Sequence, residues 1–147
     1  MLVTNYTVVP PSQVYNVPLD CEKLATSIQT TSVQTTSVRR YKIYCGVDFG
    51  NALPSTQSDS IGSPLLYTNL ARVIAYSLND CLEACSWLNF FATEYWGCHS
   101  VYYSSRLHDS LAFGSIGNCW LKNGTPADIA SFEVNPDHYF LGAVEQE

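Results

Sequence analysis

Apolar residues recur at Leu78, Cys81, Leu82, Cys85 and Leu88, the spacing of one face of a helix. Ser77 precedes that stripe and Asp80 follows it closely, a capping box with Asp in the place usually taken by Glu. The pattern predicts a helix from Leu78 that begins to end at Asn89. Elsewhere the period shortens to that of a strand in Tyr41–Cys45, Cys98–Tyr103, Cys119–Lys122 and His138–Val144. Leu70–Tyr76 reads as a strand running into the helix. Asn123-Gly124 closes the Cys119–Lys122 strand as a turn. Gly46 to Pro64 is rich in Gly, Pro, Ser, Asp and Asn and reads as a long loop. A polar loop carrying Arg106, His108 and Asp109 follows Tyr103. Residues 26–37 are almost all Thr, Ser, Gln, Val and Ile, with Thr30-Thr31-Ser32-Val33-Gln34 nearly repeated by Thr35-Thr36-Ser37-Val38. That composition suits either an O-glycosylated disordered stretch or β-structure. Residues 1–20 hold three of the seven prolines and read as an extended arm with a short strand at Thr7–Val9. The expected class is α+β: one domain over residues 21–147, with its core at about 41–144, behind an irregular N-terminal segment.

Charge narrows the choice of partners. The 147 residues carry 7 Lys and Arg against 13 Asp and Glu, a formal net charge of −6. Nucleic acid, heparin-like polymers and anionic membranes all require clustered positive charge, which this chain lacks. The one adjacent basic pair, Arg39-Arg40, with Lys42 nearby, reads as a solvated strand edge. No run of about 18 apolar residues exists, so membrane insertion is not expected. Met1–Pro11 lacks the basic and apolar regions of a signal peptide, and the chain reads as a processed piece of a longer precursor.

The six cysteines, Cys21, Cys45, Cys81, Cys85, Cys98 and Cys119, are an even set, as a disulfide framework requires. The sequons at Asn5 and Asn123 add to the expectation of a secreted, extracellular glycoprotein, with Asn123 in an exposed turn as the better acceptor. Cys81 and Cys85 lie on one helical face, too parallel to bond each other, so each is expected to reach a different strand. Zinc is disfavoured because only Cys81 and Cys85 are closely spaced. No Gly-x-Ser-x-Gly elbow is present, and His108-Asp109 and Asp137-His138 are merely neighbours in sequence, so neither catalysis nor a cofactor is expected. Turn chemistry accounts for Asp48, Asn51 and Asp59 better than a calcium loop does.

Four separated motifs carry a resemblance. Cys45-Gly46-Val47-Asp48-Phe49, Asp80-Cys81-Leu82-Glu83-Ala84-Cys85, Cys98-His99-Ser100-Val101-Tyr102-Tyr103 and Asn118-Cys119-Trp120-Leu121-Lys122 occur in the order seen in the PAN/apple superfamily. The chain resembles in particular the apple-like modules of fungal secreted proteins, over roughly residues 41–144. The resemblance implies one helix disulfide-clamped onto a small antiparallel β-sheet, through Cys81–Cys119 and Cys85–Cys98. Cys21–Cys45 then remains to tie the N-terminal segment to the first strand. It also implies a non-catalytic recognition module for an extracellular protein or glycan, with self-association into a structural assembly as the alternative.

Aromatic residues suggest where a partner would sit. Successive side chains of a strand point to opposite faces, so one of Tyr102 and Tyr103 is expected in the core and the other outside. Trp120, beside Cys119, reads as core. The expected ligand-binding set is Tyr103 on the open face, with Trp96 and Arg106 from the loops at the two ends of its strand.

Overall fold

The computed structural model describes residues 9–15, 17–25, 27–33, 37–50, 53–58, 61–91 and 97–146. Among them, helix α1 (Cys21–Ala25) leads into strands β1 (Ile28–Val33) and β2 (Ser37–Cys45), then β3 (Leu53–Ser58), β4 (Pro64–Tyr67) and β5 (Asn69–Val73). Helix α2 (Leu78–Phe91), strand β6 (Ser100–Ser104), helix α3 (Leu107–Ala112) and strands β7 (Cys119–Lys122) and β8 (Phe140–Gln146) complete the chain. The fold is α+β. Six strands form one antiparallel sheet in the order β1-β2-β8-β6-β7-β5, and β3 pairs with β4 in a separate hairpin.

The capping box forms as the sequence predicts. The Ser77 N–H donates to Asp80 Oδ2 at 3.1 Å, and the Asp80 N–H donates back to Ser77 Oγ at 3.1 Å. These two bonds satisfy backbone donors that a helix start leaves open. One face of α2 buries Cys81, Leu82, Cys85 and Ser86. Ser86 is polar but satisfied, since its hydroxyl bonds Thr31 Oγ1 and, at 2.9 Å, Tyr41 Oη. The disulfides are Cys81–Cys119, Cys85–Cys98 and Cys21–Cys45, and no cysteine is free. The first joins α2 to β7, and the second joins α2 to the residues just before β6. Beneath the helix lie Tyr41, Ile43, Val101, Tyr103, Leu121, Leu141 and Ala143, alternate residues of β2, β6, β7 and β8.

Fully buried Asn118 fastens the approach to α2. Its Nδ2 donates to Ala75 O and Ser104 O, both at 2.8 Å, and its Oδ1 accepts the Ala75 N–H at 2.8 Å.

The open choice for the Thr/Ser stretch is decided, and other expectations need correction. The Thr/Ser stretch is β-structure in its described part, pairing Ile28–Val33 with Lys42–Ser37 in unbroken register. Arg39, Arg40 and Lys42 lie on β2 between β1 and β8, not at a sheet edge. Arg39 pairs with Glu145 on β8, and Lys42 Nζ lies 5.3 Å from the Tyr44 ring centroid. The Gly46–Pro64 loop contains β3 and the start of β4. That hairpin is tied to the rest of the chain by long-range backbone pairing, such as the Thr56 N–H to Thr125 O at 2.9 Å, which composition does not reveal. The loop after Tyr103 contains α3, a helix of 6 residues whose one buried anchor is Leu107.

The N-terminal arm is docked. The His108 N–H donates to Val14 O at 3.0 Å, and the His108 ring bonds Ser12 O and packs 5.1 Å from Tyr15. The expected strand at Thr7–Val9 falls almost wholly outside the described residues, and Val9 itself is not in a strand.

Candidate functional site

Strand register fixes which side chains face away from α2. One row across the sheet reads Tyr44, Gly142, Tyr102, Trp120 and Arg72, from β2, β8, β6, β7 and β5. The next reads Lys42, Val144, Ser100, Lys122 and Asn69. This face is only partly open. Val47, Phe49, Tyr67 and Val144 form a second buried cluster on it, with Tyr44, Ile129 and Phe132 packed alongside.

Phe49 is the keystone of that cluster. Its ring lies over Gly142 so closely that any Cβ at 142 would collide with it. Phe49 also meets Tyr67 and Phe132 edge to face, at 6.3 and 5.3 Å. Tyr67 is anchored in turn. Its hydroxyl donates to Ser100 Oγ at 2.6 Å, and Ser100 donates onward to Gly124 O at 2.6 Å.

The covering segment, residues 46–50, is tied at both ends. The Gly46 N–H donates to Phe140 O at 2.9 Å, and Gly46 O accepts the Asn135 N–H at 2.9 Å. At the other end, Lys122 Nζ donates to Gly50 O at 2.7 Å and to Asn69 Oδ1 at 2.9 Å, and lies 4.8 Å from the Tyr67 ring centroid. Burial pushes the Lys122 ammonium down to about 8, while Asp48 pulls it the other way. The Gly50 N–H bonds Asp48 Oδ1 at 2.9 Å, which holds the exposed carboxylate in place.

The uncovered remainder of the face is a band of half-buried aromatics. Tyr102 packs against Trp120 at 5.0 Å and against Phe140 at 5.7 Å. Tyr102 and Trp120 wall a cleft of about 300 Å³ whose other sides are Asp48, Gly50, Asn69 and Lys122. A neighbouring cleft of about 520 Å³ includes Asp48, Glu133, Asn135 and Phe140. Burial, then Asp48 and Asp137, push the Tyr102 phenol up to about 12, so it stays protonated and keeps a hydrogen to donate. Rigid rings beside fixed acceptors and donors can stack on a ligand and hydrogen-bond its edge. Among the described residues, no group of three or more His, Cys, Asp or Glu side chains could hold a metal ion.

The expected site residues fare unevenly. Trp96 and Asn5 lie outside the described residues. Tyr103 is not on the open face. It is 3% exposed and packs beneath α2, because it pairs across the sheet with Cys119, the residue bonded to Cys81 of α2. Counting alternation from Cys98 gives the opposite face, but Cys98 precedes the strand and does not share its parity. Tyr102 is the outward residue, and Trp120 stands beside it on the open face instead of in the core.

Arg106 is already engaged. Its Nη2 pairs with Asp137 Oδ2 at 3.1 Å, and its guanidinium lies 4.4 Å over the Tyr139 ring. Asn123 is half-buried, with its Nδ2 donating to Leu66 O and its Oδ1 accepting the Thr68 N–H, each at 2.9 Å. The nitrogen that a glycan would occupy is therefore already in use.

One further feature is exposed. Trp87, Phe90 and Phe91, on the solvent side of α2, are 44%, 45% and 76% exposed and touch one another at 5.0 to 5.9 Å. Comparison with protein-family models, with curated proteins and with solved structures finds no match for the chain.

Proposed function

We propose that the chain is a non-catalytic, PAN/apple-like recognition module that works outside the cell and binds carbohydrate through the band of Tyr102, Trp120 and Phe140. The observation that carries this reading is the pairing of the Tyr102 and Trp120 rings with Asp48, Asn69 and Lys122 around one cleft. Sugars present apolar faces and hydroxyl edges, and a fixed ring next to fixed polar groups meets both. The three disulfides support an oxidising compartment, and no described helix is long and apolar enough to cross a membrane. A glycan array tests the reading: retention of a saccharide that Trp120→Ala abolishes supports it, and retention of none counts against it.

A second reading, contact with another protein or with a second copy, is favoured by the exposed aromatics of α2. Sedimentation at rising concentration distinguishes the two. A monomer that retains glycan supports the first, and a concentration-dependent polymer that Phe91→Ser dissolves supports the second. Self-association through the N-terminal arm has less support, since that arm lies along α3 of its own chain.

A further inference from the structure

The two clefts on the open face share a wall. Asp48 lines both, and the aromatic band crosses from one to the other. Phe140 borders the larger cleft, while Tyr102 and Trp120 border the smaller. Ring follows ring, with 5.7 Å from Phe140 to Tyr102 and 5.0 Å from Tyr102 to Trp120. Each step is comparable to the rise of one pyranose along an extended chain. A single sugar would occupy the smaller cleft, of about 300 Å³, and leave Phe140 and the larger cleft unused.

Charge sets a second condition. Asp48 stands at the junction of the clefts, and Glu133 lines the larger one. The described lining of the larger cleft has no basic residue to offset them. In the smaller cleft the Lys122 charge is already balanced by the nearby Asp48 and its ammonium donates to Gly50 and Asn69, while Arg106 is paired with Asp137. Arg72 lies beyond Trp120, on the outermost strand. A carboxylate or sulfate seated at the junction would face the like charge of the Asp48 carboxylate.

We infer that the two clefts act as one groove that takes several consecutive residues of a linear polysaccharide lacking acidic groups, and not a lone terminal sugar. This rests on the carbohydrate reading of the open face. It adds chain length and charge as the features recognised.

The test is calorimetric titration of the intact chain with neutral β-linked gluco-, manno-, xylo- and N-acetylglucosamine oligomers, from monosaccharide to hexasaccharide. Heparin and polygalacturonate serve as acidic probes. In one neutral series, affinity should rise about tenfold or more between monosaccharide and tetrasaccharide and then level off. Phe140→Ala should flatten that rise. Because Phe140 is half-buried, Glu133→Gln is the companion variant on an exposed residue, and it should raise affinity for polygalacturonate. Length-independent binding, or tighter binding of the acidic polymers by the unmodified chain, would overturn the inference while leaving the carbohydrate reading intact. Failure of every saccharide to bind would overturn both.

Discussion

On the helix face of the sheet, two disulfides carry α2 across strands β6 and β7, and the strand residues beneath it are apolar or bonded cysteine apart from Thr31, whose hydroxyl bonds Ser86. On the opposite face no disulfide crosses. A short covering segment is held there by a ring over Gly142, a lysine reaching Gly50, and backbone bonds to Phe140 and Asn135. The first face is closed by covalent bonds and apolar burial. The second is closed by polar bonds and one aromatic keystone, and only over part of its area. The proposed binding surface lies where closure is incomplete, since rings, carboxylates and backbone carbonyls share a surface with solvent there.

Breaking the helix face should cost most. Replacing Cys81 and Cys119 together by Ser opens a loop of 38 residues, for which chain entropy alone predicts a loss of about 4 kcal/mol. Thermal unfolding under non-reducing conditions should show a drop in midpoint of many degrees, and an unchanged midpoint would mean that burial alone holds α2. On the opposite face, Gly142→Ala drives a methyl group into Phe49 and should cost about 1–3 kcal/mol, the usual range for overpacking. Its effect on ligand binding should exceed that of the disulfide variant under conditions where both are folded, since Phe49 positions Asp48 and Gly50.

Alkaline titration separates Lys122 of the open face from the buried tyrosines of both faces by sign. Lys122 stands at about 8 in the fold against an ordinary 10.5, so the unfolded chain binds more protons between those values. Stability should therefore rise with pH across that window. Tyr41, Tyr102 and Tyr103 are pushed up to about 12 from 10.0, chiefly by burial, and Tyr67 higher still. Their contribution is complete below pH 10 and is lost as pH climbs toward 12. Denaturant midpoints should thus increase from pH 8 to about 10 and fall steeply beyond. In Lys122→Met the increase should vanish while the fall remains. A midpoint that declines steadily from pH 8 in the unmodified chain would contradict the burial of Lys122. The smallest effect belongs to Tyr103→Phe, which removes one hydroxyl beneath α2 and should leave ligand affinity unchanged.

The same contrast explains what could be read from sequence. Helix α2 was legible because Ser77, Asp80 and the stripe through Leu88 are local signals, and the cysteines lie on its buried face. The strands beneath it were legible from their alternation. The open face was not, because its order depends on distant partners. Phe49 finds space only because residue 142 on β8 is glycine, and Lys122 finds its acceptors on Gly50 and Asn69. Helix α3 has one buried anchor, too few for a periodic stripe. The choice between Tyr102 and Tyr103 depended on parity. The informative cysteine was Cys119, inside its strand and directly opposite Tyr103, not Cys98, which precedes its strand.

The most direct test of the open face as the binding surface is the affinity of Trp120→Ala for the tightest-binding neutral hexasaccharide, measured beside Tyr103→Phe and the unmodified chain. The account predicts a loss of about tenfold or more for Trp120→Ala, with near-ultraviolet dichroism still showing a folded protein, and no change for Tyr103→Phe. Unchanged affinity in folded Trp120→Ala would contradict it.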